Sequence, residues 1–210
     1  MFYIVKTPKW VKKFFSSCIW EINETQKAIY LTFDDGPHPA ITGFVLDELK
    51  KYNARGTFFC IGKNVVANPL IFNRILSEGH SVGNHTYNHL NGWKTKNADY
   101  LKDIVEAASH INSNLFRPPY GRITMKQYRE LLQLDKPFRI VMWSILSGDF
   151  DTKITPEHCC ANIFKNAGNG SIVVFHDSEK AFERLKYSLP LVLKYFSEKG
   201  YKFEKIVAKT

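Results

Sequence analysis

The chain has 210 residues, 44% apolar, 23% charged and 14% aromatic, which suits one globular domain with a sizeable core and excludes whole-chain disorder or a fibrous repeat. No stretch approaches the ~18 uninterrupted apolar residues of a membrane-spanning helix. The formal charge is +9, but it is spread thinly: residues 1–20 hold four Lys and no acid, residues 116–142 six basic and two acidic groups, and residues 180–210 eight and three. Without a basic run of five or a nucleic-acid signature, the excess reads as a solvated surface suited to an anionic substrate or lipid. No nucleic-acid partner is expected.

Residues 1–26 read as an N-terminal extension ahead of a domain over 27–210. Phe15-Ser16-Ser17-Cys18 has the look of a lipoprotein cleavage box, but the cysteine lies inside the apolar stretch and no A-x-A-like site follows. A cleavable signal is therefore rejected, and the expected location is cytoplasmic, with the inner membrane surface available for peripheral contact through residues 1–20. Trp10–Trp20 is expected to form a short basic-aromatic helix lying on the domain or on a membrane. The extension supplies no ligand or acid–base group. The cysteines, Cys18, Cys60, Cys159 and Cys160, have no metal spacing. Cys60, inside Phe58-Phe59-Cys60-Ile61, reads as a buried thiol, and a reducing compartment is favoured.

From residue 28 the chain alternates between two textures. β-branched or aromatic runs fall at 28–33, 56–61, 80–83, 115–116, 138–143, 171–175 and 201–204. Helical patterns lie between them at 41–52, 70–77 (opened by Pro69), 98–111, 124–134, 156–167 and 181–199. Seven strand–helix repeats with short links predict a parallel α/β fold, either a closed barrel or an open doubly wound sheet. The absence of a phosphate loop or G-x-G-x-x-G after the first run weakens the nucleotide-binding form of the open sheet.

The polar residues that look out of place follow the strands, where parallel α/β folds gather their catalytic groups. After the first run stand Asp34-Asp35-Gly36-Pro37; adjacent carboxylates repel, so the pair calls for a cation or a shared proton. After the third come His85 and His89, four apart and therefore expected on one helical face, where both imidazoles can converge on one ion. With a carboxylate from Asp34-Asp35 they make a two-His, one-carboxylate set that leaves coordination positions open. His80 reads as a structural histidine within a strand. Arg117-Pro118-Pro119-Tyr120-Gly121 is a stiff loop able to aim a backbone N–H and hold Arg117 against a carboxylate. Trp143, Asp149-Phe150 and Val174-Phe175-His176-Asp177 close the series.

In this order the motifs T-F-D-D-G-P, H-T-x-x-H, R-P-P-Y and V-F-H-D resemble the polysaccharide deacetylases of the NodB-homology type, carbohydrate esterase family 4, over about 28–205. The resemblance implies a single-domain, distorted and incomplete (β/α) barrel of about seven parallel strands. It implies a metal-dependent hydrolase that removes acetyl groups, N-acetyl foremost, from a carbohydrate or glycoconjugate such as an N-acetylated sugar polymer or a lipid-linked sugar. Asp35, His85 and His89 would bind one divalent metal, usually zinc, with cobalt, nickel or manganese in some members. Asp34 would be the general base, tethered by Arg117; the Tyr120 N–H would serve the oxyanion; His176 would be the general acid, tuned by Asp149. Phe150, Val174 and Trp143 would line the substrate pocket. Three positions depart from the family pattern: Leu146 replaces the first Asp of D-x-x-D-W, Phe150 its Trp, and Val174 a Leu. The competing readings are a same-fold hydrolase of a non-sugar C–N amide, a carbohydrate-binding protein without turnover, and a basic surface binder.

Overall fold

The computed structural model describes residues 3–23, 25–134 and 136–207. In chain order the elements are α1 (Lys9–Phe14), β1 (Ala28–Asp34), α2 (Pro39–Lys51), β2 (Thr57–Cys60), α3 (Gly62–Ala67), α4 (Pro69–Ser77), β3 (Ser81–Asn84), α5 (Asn97–Ala108), β4 (Leu115–Phe116), α6 (Met125–Leu132), β5 (Arg139–Ile140), β6 (Ile145–Leu146), α7 (Pro156–Asn166), β7 (Ser171–His176), α8 (Glu179–Glu198) and β8 (Lys202–Phe203). The strands pair in parallel in the order β5-β4-β3-β2-β1-β7-β6, with β8 beside the start of β1. Seven strands in line with helices outside make the incomplete barrel that the sequence implies.

Each residue of β1 is buried, as expected of a central parallel strand covered on both sides. Phe33 stacks between Phe58 and Phe175, with ring centres 5.0 and 6.1 Å away, and Val45, Leu46 and Leu49 of α2 pack onto the same core. Local chemistry sets the helix starts. His38 Nδ1 accepts the Ile41 N–H at the head of α2, and Pro39, Pro69 and Pro156 occupy first-turn positions that need no N–H partner. Thr124 and Gln127 form a reciprocal capping box on α6. Thr124→Ala removes one half of it and is expected to cost about 1 kcal/mol, seen as a melting temperature lower by roughly 2–4 °C.

The run at 138–143 holds only β5, and β6 lies just past it, so eight strands are found where seven are expected. β5 pairs with β4 and β6 with β7, so Val141–Ser144 carries the chain from one edge of the open barrel to the other. A strand of two residues is too short for periodicity to announce, which is why β6 is not expected. The helix α3 is also additional to the sequence pattern. His80 lies just before β3, not in it, and its Nδ1 accepts the Gly56 N–H at 3.0 Å. Burial pushes this imidazole down to about 4, so it stays neutral. All four cysteines are free and buried.

The extension is laid into the gap between the two sheet edges. Leu146 N–H donates to Val5 O and Thr7 N–H to Ser144 O, which covers β6. Ile19 N–H donates to Ile140 O and takes the Met142 N–H on its own carbonyl, which continues β5, and Ile22 N–H reaches Gly170 O. Exposed edges invite mispairing, and this strap covers both. The helix expected over Trp10–Trp20 stops at Phe14, because Cys18 and Trp20 turn into the core beside Tyr128 and Leu131 and Trp20 Nε1–H donates to Phe15 O.

Candidate active site

Three strand ends and two loops converge on one cavity of about 690 Å³. Asp34 ends β1, and its Oδ1 accepts Arg117 Nη1–H at 2.7 Å. Arg117 is completely buried. Its Nε–H and Nη2–H donate to Val141 O and Met142 O, Nη1–H also reaches Thr32 Oγ1, and the guanidinium lies 4.1 Å from the centre of the Phe59 ring. Burial lowers the Arg117 pKa and Asp34 opposes that shift; an arginine so surrounded stays charged. A buried charge with four acceptors on it is held in one orientation, and it fixes Asp34 in turn.

Asp35 follows in a left-handed turn, φ 85°. The turn is pinned by Asn64 Nδ2–H on Asp35 O (2.7 Å), Gly36 N–H on Asp177 Oδ1 (2.9 Å) and Asp177 N–H on Asp34 O (3.0 Å). Asp177 must pass so close that a Cβ on Gly36 would meet its carboxyl at 2.1 Å, which explains the glycine. Burial pushes the Asp177 carboxyl up to about 7, against its bonds from Thr42 and Gly36.

The two histidines come from an irregular loop, not a helix. Thr86 and His89 have φ of 64° and 58°, outside helical values. The N–H groups of Tyr87 and Asn88 go to Asp103 Oδ2 on α5 (2.8 and 3.0 Å), and that of Thr86 goes to Asn84 Oδ1. Side-chain carboxylate and amide acceptors thus replace the helical ladder, and the rings still meet, 5.1 Å apart. His85 Nδ1 lies 2.7 Å from Arg117 O; a carbonyl only accepts, so Nδ1 carries the proton and the Nε2 lone pair faces inward. Burial lowers its pKa to about 4, so the ring is neutral and able to act as a ligand at pH 7.

His85 Nε2 and His89 Nε2 stand 3.8 and 3.2 Å from Asp35 Oδ1, and the three donor atoms lie within 4.8 Å of one another. Asp35 Oδ1 is buried yet accepts no hydrogen bond from the described residues, a costly state unless something cationic completes it. Burial opposes ionisation, but His89, His176 and His85 hold the carboxyl far below its ordinary value. A carboxylate, two imidazole lone pairs and an orphaned oxygen turned to a common point fit a divalent cation.

On the other side stands His176 at the end of β7. Its Nδ1–H and backbone N–H both reach the Asp149 carboxylate, at 2.8 and 2.7 Å, and Asp149 is fully buried. Burial alone would lower the imidazole; Asp149, with Asp35 and Asp34 beyond, outweighs it and raises the pKa to about 9. Tyr120 sits between Pro119 and Gly121 at φ 60°, its ring 4.7 Å from that of His89. Five described non-glycine residues have positive φ, and four of them, Asp35, Thr86, His89 and Tyr120, are here. Such conformations cost roughly 1–3 kcal/mol each and persist where the surroundings enforce them.

Of the residues singled out in the sequence, Asp34, Asp35, His85, His89, Tyr120, Trp143, Phe150, Val174 and His176 line the cavity, and Arg117 and Asp149 stand directly behind it. Leu146 lines it too. Sequence reasoning passed over Asp103, which has no motif, and gave no role to Asp177, although it sits in V-F-H-D. It also missed the wall built by Tyr3, Val11, Phe15 and Trp20, whose apolar side chains read as ordinary core. Tyr3 contacts the Phe150 ring, which contacts His176.

Residues 21–136 match the family model described as polysaccharide deacetylase. The chain is 34% identical over 190 residues to a peptidoglycan-N-acetylglucosamine deacetylase of Bacillus cereus, covering 88% of each chain. It is 32% identical to the peptidoglycan-N-acetylmuramic acid deacetylase PdaC of Bacillus subtilis, over 86% of this chain and 38% of that one. The crystal structure of the Bc1960 peptidoglycan N-acetylglucosamine deacetylase, in complex with 4-naphthalen-1-yl-N-oxidanyl-benzamide, superposes with a TM-score of 0.85 at 30% identity, covering 95% of both chains. With the sheet order, the strand-end carboxylates and histidines, and relatives matching along most of its length, the chain belongs to the polysaccharide deacetylase family.

Proposed function

We propose that this carbohydrate deacetylase is a metal-dependent N-deacetylase that releases acetate from an N-acetylated amino sugar within a glycan or glycoconjugate. The observation that carries the reading is the opposition of two sets of groups across one cavity: the donors Asp35, His85 and His89 beside Asp34, and the His176–Asp149 pair facing them. The substrate class draws on the relatives named for N-acetylglucosamine and N-acetylmuramic acid in peptidoglycan.

A divalent cation held by Asp35, His85 and His89 would polarise the acetyl carbonyl and make water more acidic. Asp34, held by Arg117 on Oδ1, takes the proton of the attacking water. The Tyr120 N–H donates to the oxygen on which negative charge develops; one donor of this kind is typically worth about 3–4 kcal/mol. His176, protonated at neutral pH, gives its Nε2 proton to the departing sugar nitrogen, because an amine leaves poorly as an anion. Phe150, Val174, Leu146 and Trp143 keep water from the acetyl methyl.

The test is bound metal and acetate release measured together on N-acetylglucosamine oligomers and on small non-sugar amides. About one equivalent of metal is expected, with zinc first to be tried and cobalt, nickel and manganese next. A chelator should abolish acetate release and the metal should restore it. Full release after complete metal removal, or release from the small amides only, would sink the reading.

A further inference from the structure

The two sides of α1 face different surroundings. Val11 and Phe15, four apart, line the catalytic cavity. Trp10 and Phe14, also four apart and so on a different side of the same turns, are 72% and 75% exposed. Ile4, just upstream, is 49% exposed. Scattered exposed apolar side chains are ordinary, but these three share one short segment with exposed Lys6, Lys9 and Lys13 and no acid before Glu21. Lys12 is matched by Glu21; Lys6, Lys9 and Lys13 enter no ion pair among the described residues.

Indole rings favour the headgroup level of a bilayer, and Phe and Ile the acyl boundary below it. Lysines beside them complement anionic lipid. We propose that α1 and the residues just before it form a docking surface for an anionic lipid bilayer, with Trp10 at headgroup depth, Phe14 at the acyl boundary below it, and Lys6, Lys9 and Lys13 on lipid phosphates. Because another side of the same turns is a wall of the cavity, docking brings that wall to the membrane surface. The proposal stands independently of the reaction assigned to the site.

Sedimentation of the full chain with phosphatidylcholine vesicles, and with vesicles also containing phosphatidylglycerol, tests it. Binding is expected to the mixed vesicles and to weaken as salt rises. The double variant Trp10→Ala/Phe14→Ala and the triple variant Lys6→Glu/Lys9→Glu/Lys13→Glu should each weaken binding on the order of tenfold or more. Both should keep the wild-type circular dichroism and acetate release from soluble oligomers, since none of these side chains lines the cavity. Should the aromatic variant fail to fold, the lysine variant decides. The proposal is overturned if the wild type ignores anionic vesicles at low salt or if a folded variant binds them undiminished. It is also overturned if Trp10 and Phe14 serve self-association or binding to insoluble peptidoglycan without vesicle binding.

Discussion

Asp34→Asn is expected to cut turnover on the order of 10²–10⁴-fold, the usual range for a general base, while bound metal stays at the wild-type level. Asparagine still offers Arg117 a carbonyl oxygen in place of the Asp34 carboxylate, but it accepts no proton from water. Asp35→Asn is expected to behave differently although it sits next door. The oxygen lost there is the buried one that no described residue satisfies, and a neutral amide is a weaker ligand for a divalent cation than a carboxylate. Metal affinity should fall strongly, and added metal should recover part of the activity, which it should not do for Asp34→Asn. Equal metal loss in the two variants would refute this division between neighbouring carboxylates, as would wild-type turnover in either.

A comparable loss is expected on raising the pH. The acid form of His176 exists below its pKa of about 9, so the rate should hold through neutrality and decline as pH rises through that value. Asp149 is what opposes burial there. In Asp149→Asn, burial prevails and the declining limb should move to lower pH, so that the variant loses far more at pH 8 than at pH 6. His176→Ala should lose on the order of 10²–10⁴-fold on amides, with metal retained and a smaller loss on acetyl esters, whose leaving oxygen needs a proton less. A pH–rate profile unmoved in Asp149→Asn would remove His176 from the acid role.

The site was legible because its side chains are polar residues stranded at the ends of apolar runs: Asp34, Asp35, His176 and Arg117 have no reason to stand there in a merely structural chain. What hid was whatever depended on the path of the backbone between runs. His85 and His89 have helical spacing, yet Asp103, on α5, takes the N–H groups of their loop, and nothing local announces an acceptor that arrives from fifteen residues away. The run at 138–143 shows its hydrophobicity but not the two-residue strand Ile145–Leu146 that follows it and pairs at the other edge. Tyr3, Val11 and Phe15 are chemically indistinguishable from core residues, and only the closed sheet edges show that they face a cavity.

That edge closure has a consequence for how the protein is made. Lys6 bridges to Ile145 and Ile19 to Val141, so residues 3–22 leave the ribosome long before the strands they cover exist. Contacts of such separation form late, because the loop must be closed before they contribute. Throughout synthesis of the intervening strands and helices, a lysine-rich stretch bearing Trp10, Phe14, Phe15 and Trp20 waits without its partners, available to chaperones or lipid. The cavity therefore gains the wall built by Tyr3, Val11, Phe15 and Trp20 only when strands more than a hundred residues downstream are in place.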